Sequence, residues 1–137
     1  DIELLTNKRS TIWNALLSEG NEHFYGIGNG MSEIILEDVL GHSFGPHSTY
    51  VAVISETGII GASFFLLFLC FVFIKGMKIK DKALRHLFII LYSAMILLQI
   101  TESPLRAFIQ FIILFWLVVS IPFAEEIKCK YETGGHN

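Results

Sequence analysis

Three uncharged apolar runs, at residues 58–74, 87–101 and 107–124, constrain this chain more than any other feature. A bilayer's hydrocarbon core is about 30 Å thick and takes about 20 helical residues to cross. The first and third runs approach that length unaided. The middle run is shorter and must borrow Ala83 and Leu84, with Arg85 and His86 snorkelling to the interface. Composition agrees, because 53% of the 137 residues are apolar and 12 are Phe, more oil than a soluble domain of ordinary make-up carries. The expected class is an all-α integral membrane protein: an extracytoplasmic loop with short helices over residues 1–57, three transmembrane helices within 58–124, and a cytoplasmic tail at 125–137.

Orientation follows from charge. Lys75, Lys78, Lys80, Lys82 and Arg85 crowd the connection between the first two runs against Asp81 alone, and short basic loops stay on the cytoplasmic side. Residues 1–57 are then outside and the tail with Lys128 and Lys130 is inside. The turn Thr101-Glu102-Ser103-Pro104 reads as a helix stop and restart, since the residue before Pro disfavours helix and Pro suits a first helical turn. The chain opens on Asp1 with no basic, cleavable apolar leader, so it is expected to be the C-terminal piece of a longer protein.

The first third is polar and acidic, with Asp1, Glu3, Glu19, Glu22, Glu33, Glu37 and Asp38 against Lys8 and Arg9. No basic patch suits nucleic acid. Ile12, Trp13, Leu16 and Leu17 recur at helical spacing, which predicts a short amphipathic helix over 10–18 lying at the membrane surface. Cys70 in an apolar run and Cys129 in the tail fall in different environments and are poor disulfide partners. Their number gives no zinc spacing, and a metal site from His42, His47, Glu37 and Asp38 matches no recognised ligand pattern.

Several residues carry chemical potential. Gly26, Gly28 and Gly30 permit positive φ and let backbone N–H groups approach an anion, yet a tight loop between two short helices is the plainer reading. The Gly45-Pro46 pair sets His47 at a helix entrance with Ser48 and Thr49 as caps, where an imidazole suits a general base or an acceptor-orienting group; an interfacial His without a role is the plainer reading. Glu56 follows His47 by nine residues, which on one helix of 100° per residue places the two on opposite faces. Glu56 therefore marks the interface or a protein interior. Gly58 and Ala62 allow another helix to approach closely. Arg9 is one of few cations expected outside, with Lys8 and Arg106; it is either a surface ion pair or a bidentate fork for pyrophosphate.

Read in order, Arg9, Trp13, Gly26-Ile27-Gly28-Asn29-Gly30, His47-Ser48-Thr49-Tyr50 and Glu56-Thr57-Gly58-Ile59-Ile60-Gly61 resemble the signature of the bacterial O-antigen ligase and O-antigen polymerase family. There an Arg-x-x-x-Trp segment, a Gly-Val/Ile-Gly loop, a His-Asn-x-Tyr segment and Glu-x-Gly-Ile-Ile-Gly lead from a large outer loop into a transmembrane helix. The resemblance covers residues 9–61. It implies a polytopic enzyme of the bacterial inner (cytoplasmic) membrane with further helices upstream, taking an undecaprenyl-pyrophosphate-linked glycan as donor and a glycan or lipid A-core as acceptor, with no cofactor or metal. The products would be O-antigen of lipopolysaccharide, capsule or exopolysaccharide. It also implies that Arg9 holds the lipid pyrophosphate and that His47 sits near the acceptor, with Gly28, Gly30 and Tyr50 at the substrate. Arg106, at the outer end of the third run, is added as a second phosphate contact. Ser48 stands where the family usually has Asn, which leaves the acceptor-side hydrogen bonding open and leans slightly toward a polymerase. Two alternatives remain: a protein O-oligosaccharyltransferase using the same donor, and a non-enzymatic polysaccharide export or accessory membrane protein.

Overall fold

A computed structural model describes residues 9–22, 24–41, 45–102 and 109–134. The described residues form helices and turns, with no strand among them: α1 (Arg9–Glu22), α2 (Met31–Leu40), α3 (Thr49–Met77), α4 (Lys82–Thr101) and α5 (Ile109–Gly134). Three of these, at Thr49–Met77, Lys82–Ile100 and Ile109–Tyr131, are long and apolar enough to cross a membrane. Only 22% of each span's apolar window is buried within the chain. Phe64, Leu67, Ile90, Leu97, Ile113 and Leu117 instead face outward. Water would penalise each such side chain by roughly 1.5–3 kcal/mol, whereas lipid accommodates them, so the fold is that of a membrane protein.

The α3–α4 hairpin is the spine of the bundle. Asp81 opens α4 by accepting the Leu84 N–H at 2.9 Å, the expected action of an N-cap carboxylate. Phe88 is wholly buried in a notch at Gly76, where any Cβ would collide with its ring. Tyr92 stacks on Phe88 with centroids 5.2 Å apart and donates its hydroxyl to the Leu69 carbonyl of α3 at 2.7 Å. Helix α5 closes the core with Phe115, Val118 and Val119 against Leu69 and Val72. At the lysine-rich end, Lys75 of α3 meets Glu126 of α5 at 2.7 Å, and Lys130 adds a second contact to the same carboxylate at 3.4 Å.

Helices α1 and α2 form a cap on the other end of α3. The spacing that predicts an amphipathic helix over 10–18 is realised in the longer α1, but its apolar stripe faces protein: Ile12 and Leu16 pack with Leu36 of α2 and Val51 of α3. Helix α3 begins at Thr49 rather than near residue 58, and α5 runs past residue 124 to Gly134. Within α3, Gly58 leaves helical geometry at φ 65°, ψ −169°, dividing it into a short N-terminal segment and a long C-terminal one.

The Gly76 notch yields a direct prediction. Gly76→Ala should lower hairpin stability by about 1–3 kcal/mol, because a well-packed core resists added volume. Thermal denaturation in detergent would register this, and an unchanged midpoint would mean that Phe88 does not occupy the notch.

Candidate functional site

The break at Gly58 creates the first feature of the site. An α-helix returns each carbonyl to the N–H four residues on, and the break withdraws those partners from the turn before it. The loop between α1 and α2 supplies replacements: the Ile27 N–H donates to the Ser55 carbonyl at 2.8 Å and the Gly28 N–H to the Glu56 carbonyl at 3.0 Å. Gly26 (φ 76°) and Gly28 (φ 101°) take the left-handed conformations that this docking requires. A side chain at either Gly26 or Gly58 would strike the backbone of the other segment. Gly58 thus admits a loop, where the spacing to Ala62 predicts an approaching helix. Glu56 is buried at 6% exposure and accepts from the Ser32 hydroxyl of α2 at 2.5 Å.

From this platform α1 projects two side chains one turn apart. Residues at i and i+4 share a helix face, and both reach the chain's far segments. Trp13 donates its indole N–H to the Pro46 carbonyl at 3.0 Å, and the Arg9 guanidinium meets Glu102 at 3.0 Å. His47, next to Pro46, has φ 47°. A non-glycine residue there costs about 1–2 kcal/mol, so its neighbours must hold it. Trp13 grips the residue before it. On its other side Ser48 caps α3, accepting from the Val51 N–H and donating to the Gln99 carbonyl, each at 3.4 Å.

Glu102 joins the two sequence-predicted residues. Its carboxylate places one oxygen 3.0 Å from Arg9 and the other 3.8 Å from the His47 Nδ1. The second distance is within ion-pair reach but longer than a hydrogen bond. The Glu102 backbone is itself fixed: its N–H donates to the Leu98 carbonyl, and its carbonyl accepts from the Thr49 N–H at 3.2 Å. All three side chains remain partly open, at 28% for Arg9, 41% for His47 and 49% for Glu102. A cation, an imidazole and an acid thus meet on an accessible surface, able to bind an anion and move a proton.

The other expected residues lie elsewhere. Gly28 has committed its N–H to Glu56, and Gly30 is the left-handed N-cap of α2 with open space around it. Tyr50 turns into the α3–α4 seam, donating to the Ile96 carbonyl at 3.1 Å. There it borders an apolar groove of about 680 Å³ with Leu69, Cys70, Tyr92 and Ile96. Arg106 and His42 lie outside the described residues. No three His, Cys, Asp or Glu side chains gather as a metal cluster among the described residues. Glu56 and His47 have separate partners, though not as opposite faces of one helix, because α3 begins at Thr49 and His47 precedes its Ser48 cap with a positive φ. Glu102 is the member that sequence reasoning missed; its signal was its position as the sole acid between the middle and third apolar runs.

Compared with known protein families, curated proteins and solved structures, the chain matches none.

The loop platform predicts that Gly26→Ala will undock residues 24–28 from α3. The cost combines a left-handed strain of roughly 1–2 kcal/mol with backbone overlap. Limited proteolysis should show faster cleavage near Phe24 and Tyr25, which are exposed beside it; a wild-type cleavage rate would count against the docking.

Proposed function

We propose that this chain belongs to a membrane glycosyltransferase that polymerises or ligates an undecaprenyl-pyrophosphate-linked glycan at the outer face of the cytoplasmic membrane. The observation that carries the reading is the convergence of Arg9 and His47, 38 residues apart in sequence, on the two oxygens of Glu102. Their cluster lies at the end of the bundle opposite the lysine-rich turn of residues 75–85, and retention of that turn inside would face the cluster outward. The ordered resemblance of residues 9–61 to the O-antigen ligase and polymerase family supplies the substrate class.

A lipid-linked pyrophosphate is already an activated leaving group, so the protein's task is positioning and charge stabilisation more than nucleophilic catalysis. Arg9 offers a planar fork of donors suited to phosphate oxygens. His47 sits where an acceptor hydroxyl can reach its ring from solvent. Ser48 caps α3 in the position usually held by Asn in the family, and both side chains are good N-caps. Its departure is therefore neutral for the geometry of His47.

Arg9→Ala and His47→Ala in the full-length protein should each abolish glycan extension or transfer while membrane abundance stays at the wild-type level. Electrophoresis of lipid- and polysaccharide-linked glycan reads the outcome. Full-length glycan from both variants would sink the assignment, and glycan appearing on polypeptide would redirect it to protein glycosylation.

A further inference from the structure

We infer that Glu102 is a positioning residue that alternates between two partners, holding Arg9 before the donor binds and orienting His47 during transfer. The inference rests on the glycosyltransferase reading above and assigns a role to a residue outside the segment that carries the family resemblance.

Glu102 is built for a fixed location with a movable carboxylate. Its backbone is anchored through Leu98 on its own helix and Thr49 on α3, while its side chain is half exposed. It spends one oxygen on Arg9 in a 3.0 Å ion pair and leaves the other 3.8 Å from the His47 Nδ1. Among the described residues, His47 faces the carboxylate of Glu102, the C-cap of α4, and that carboxylate is itself paired with Arg9 of α1. An arriving pyrophosphate carries more charge than one carboxylate and competes for the same guanidinium. Once displaced from Arg9, the carboxylate needs only about 1 Å of movement to hydrogen-bond the imidazole, and such contacts often tighten only in the substrate complex. The ring nitrogen that faces a carboxylate carries the proton, which leaves the other nitrogen as the base.

The transfer step then balances. The acceptor hydroxyl oxygen forms a bond to the donor's anomeric carbon as the bond from that carbon to the undecaprenyl pyrophosphate oxygen breaks. The leaving pyrophosphate departs with the electron pair and is neutralised by Arg9. The hydroxyl proton moves to the His47 Nε2, and the resulting imidazolium is stabilised through Nδ1–H by Glu102. This device also explains why an acid stands beside the expected phosphate-binding arginine: without it, an unpaired guanidinium would attract adventitious anions between turnovers.

The test uses full-length protein in lipid nanodiscs with undecaprenyl-pyrophosphate-linked repeat unit extracted from the source bacterium. Glu102→Gln should lower kcat by about tenfold or more, a part of the rate that a general base supplies, without raising KM for the donor, since Arg9 is left free for it. Removing the negative charge disfavours imidazolium, so the acid limb of kcat, which reports the enzyme–substrate complex, should move to lower pH. Glu102→Asp, which keeps the charge, should hold that limb near its wild-type position. A strut that merely ties α4 to α1 would raise KM and lower thermal stability in both variants while leaving the pH limb unmoved, and that pattern overturns the inference. Wild-type kcat and pH profile in Glu102→Gln, with Arg9→Ala and His47→Ala inactive, overturns it alone. Activity in all of these variants overturns the glycosyltransferase reading as well.

Discussion

A buried backbone cannot be left without hydrogen-bond partners, and the chain meets that constraint at Gly58 by importing a loop. Where α3 opens, Ser55 and Glu56 are buried, and each unsatisfied polar group there costs several kcal/mol. The N–H groups of Ile27 and Gly28 answer them. That exchange does more than repair a helix. It fixes the connection between α1 and α2 on the spine of the bundle, and the burial of Leu16 and Leu36 then sets the direction of α1. Arg9 and Trp13, one helical turn apart, reach Glu102 and Pro46 because the platform beneath them is closed. The alternate glycines are therefore used twice over, for left-handed turns and for close backbone approach.

Much of this arrangement was legible in the residues. Apolar run length identified the three spans, and the 3.6-residue period identified α1, because both depend on composition within a short window. Ser48 as a cap and the stop at residue 101 were likewise local. The sense of the glycines at 26 and 28 was open, since positive φ is equally compatible with an anion loop and a tight turn; the partner carbonyls 28 residues further along decided it. Gly58 with Ala62 signalled helix packing, and the same absence of a side chain instead admits a loop. Local spacing states that something comes close without stating what.

Glu102 was illegible for a related reason. Its partners lie 93 and 55 residues away in sequence, and an acid in a short turn is ordinarily a solvated surface charge. Trp13 hid its role behind its hydrophobic spacing: as one apolar position in an amphipathic pattern it explains itself without the indole N–H that holds Pro46. Both cases share a cause. Periodicity counts apolar area, while the site is assembled from single polar contacts between elements distant in the chain.

The two ends of the bundle each set one carboxylate between two basic side chains, and they differ in kind. At the lysine-rich end, Glu126 meets Lys75 at 2.7 Å and Lys130 at 3.4 Å, so one carboxylate is shared by two permanent cations on helices α3 and α5. Lysines carry their charge across the physiological range, and the cluster can act as a clasp. At the other end the second basic group is His47, which occupies a strained backbone position that two neighbouring contacts enforce. A clasp gains nothing from strain of about 1–2 kcal/mol. Strain and exposure coincide at His47, and both suit the proposed role of a group that presents a ring nitrogen to an incoming molecule.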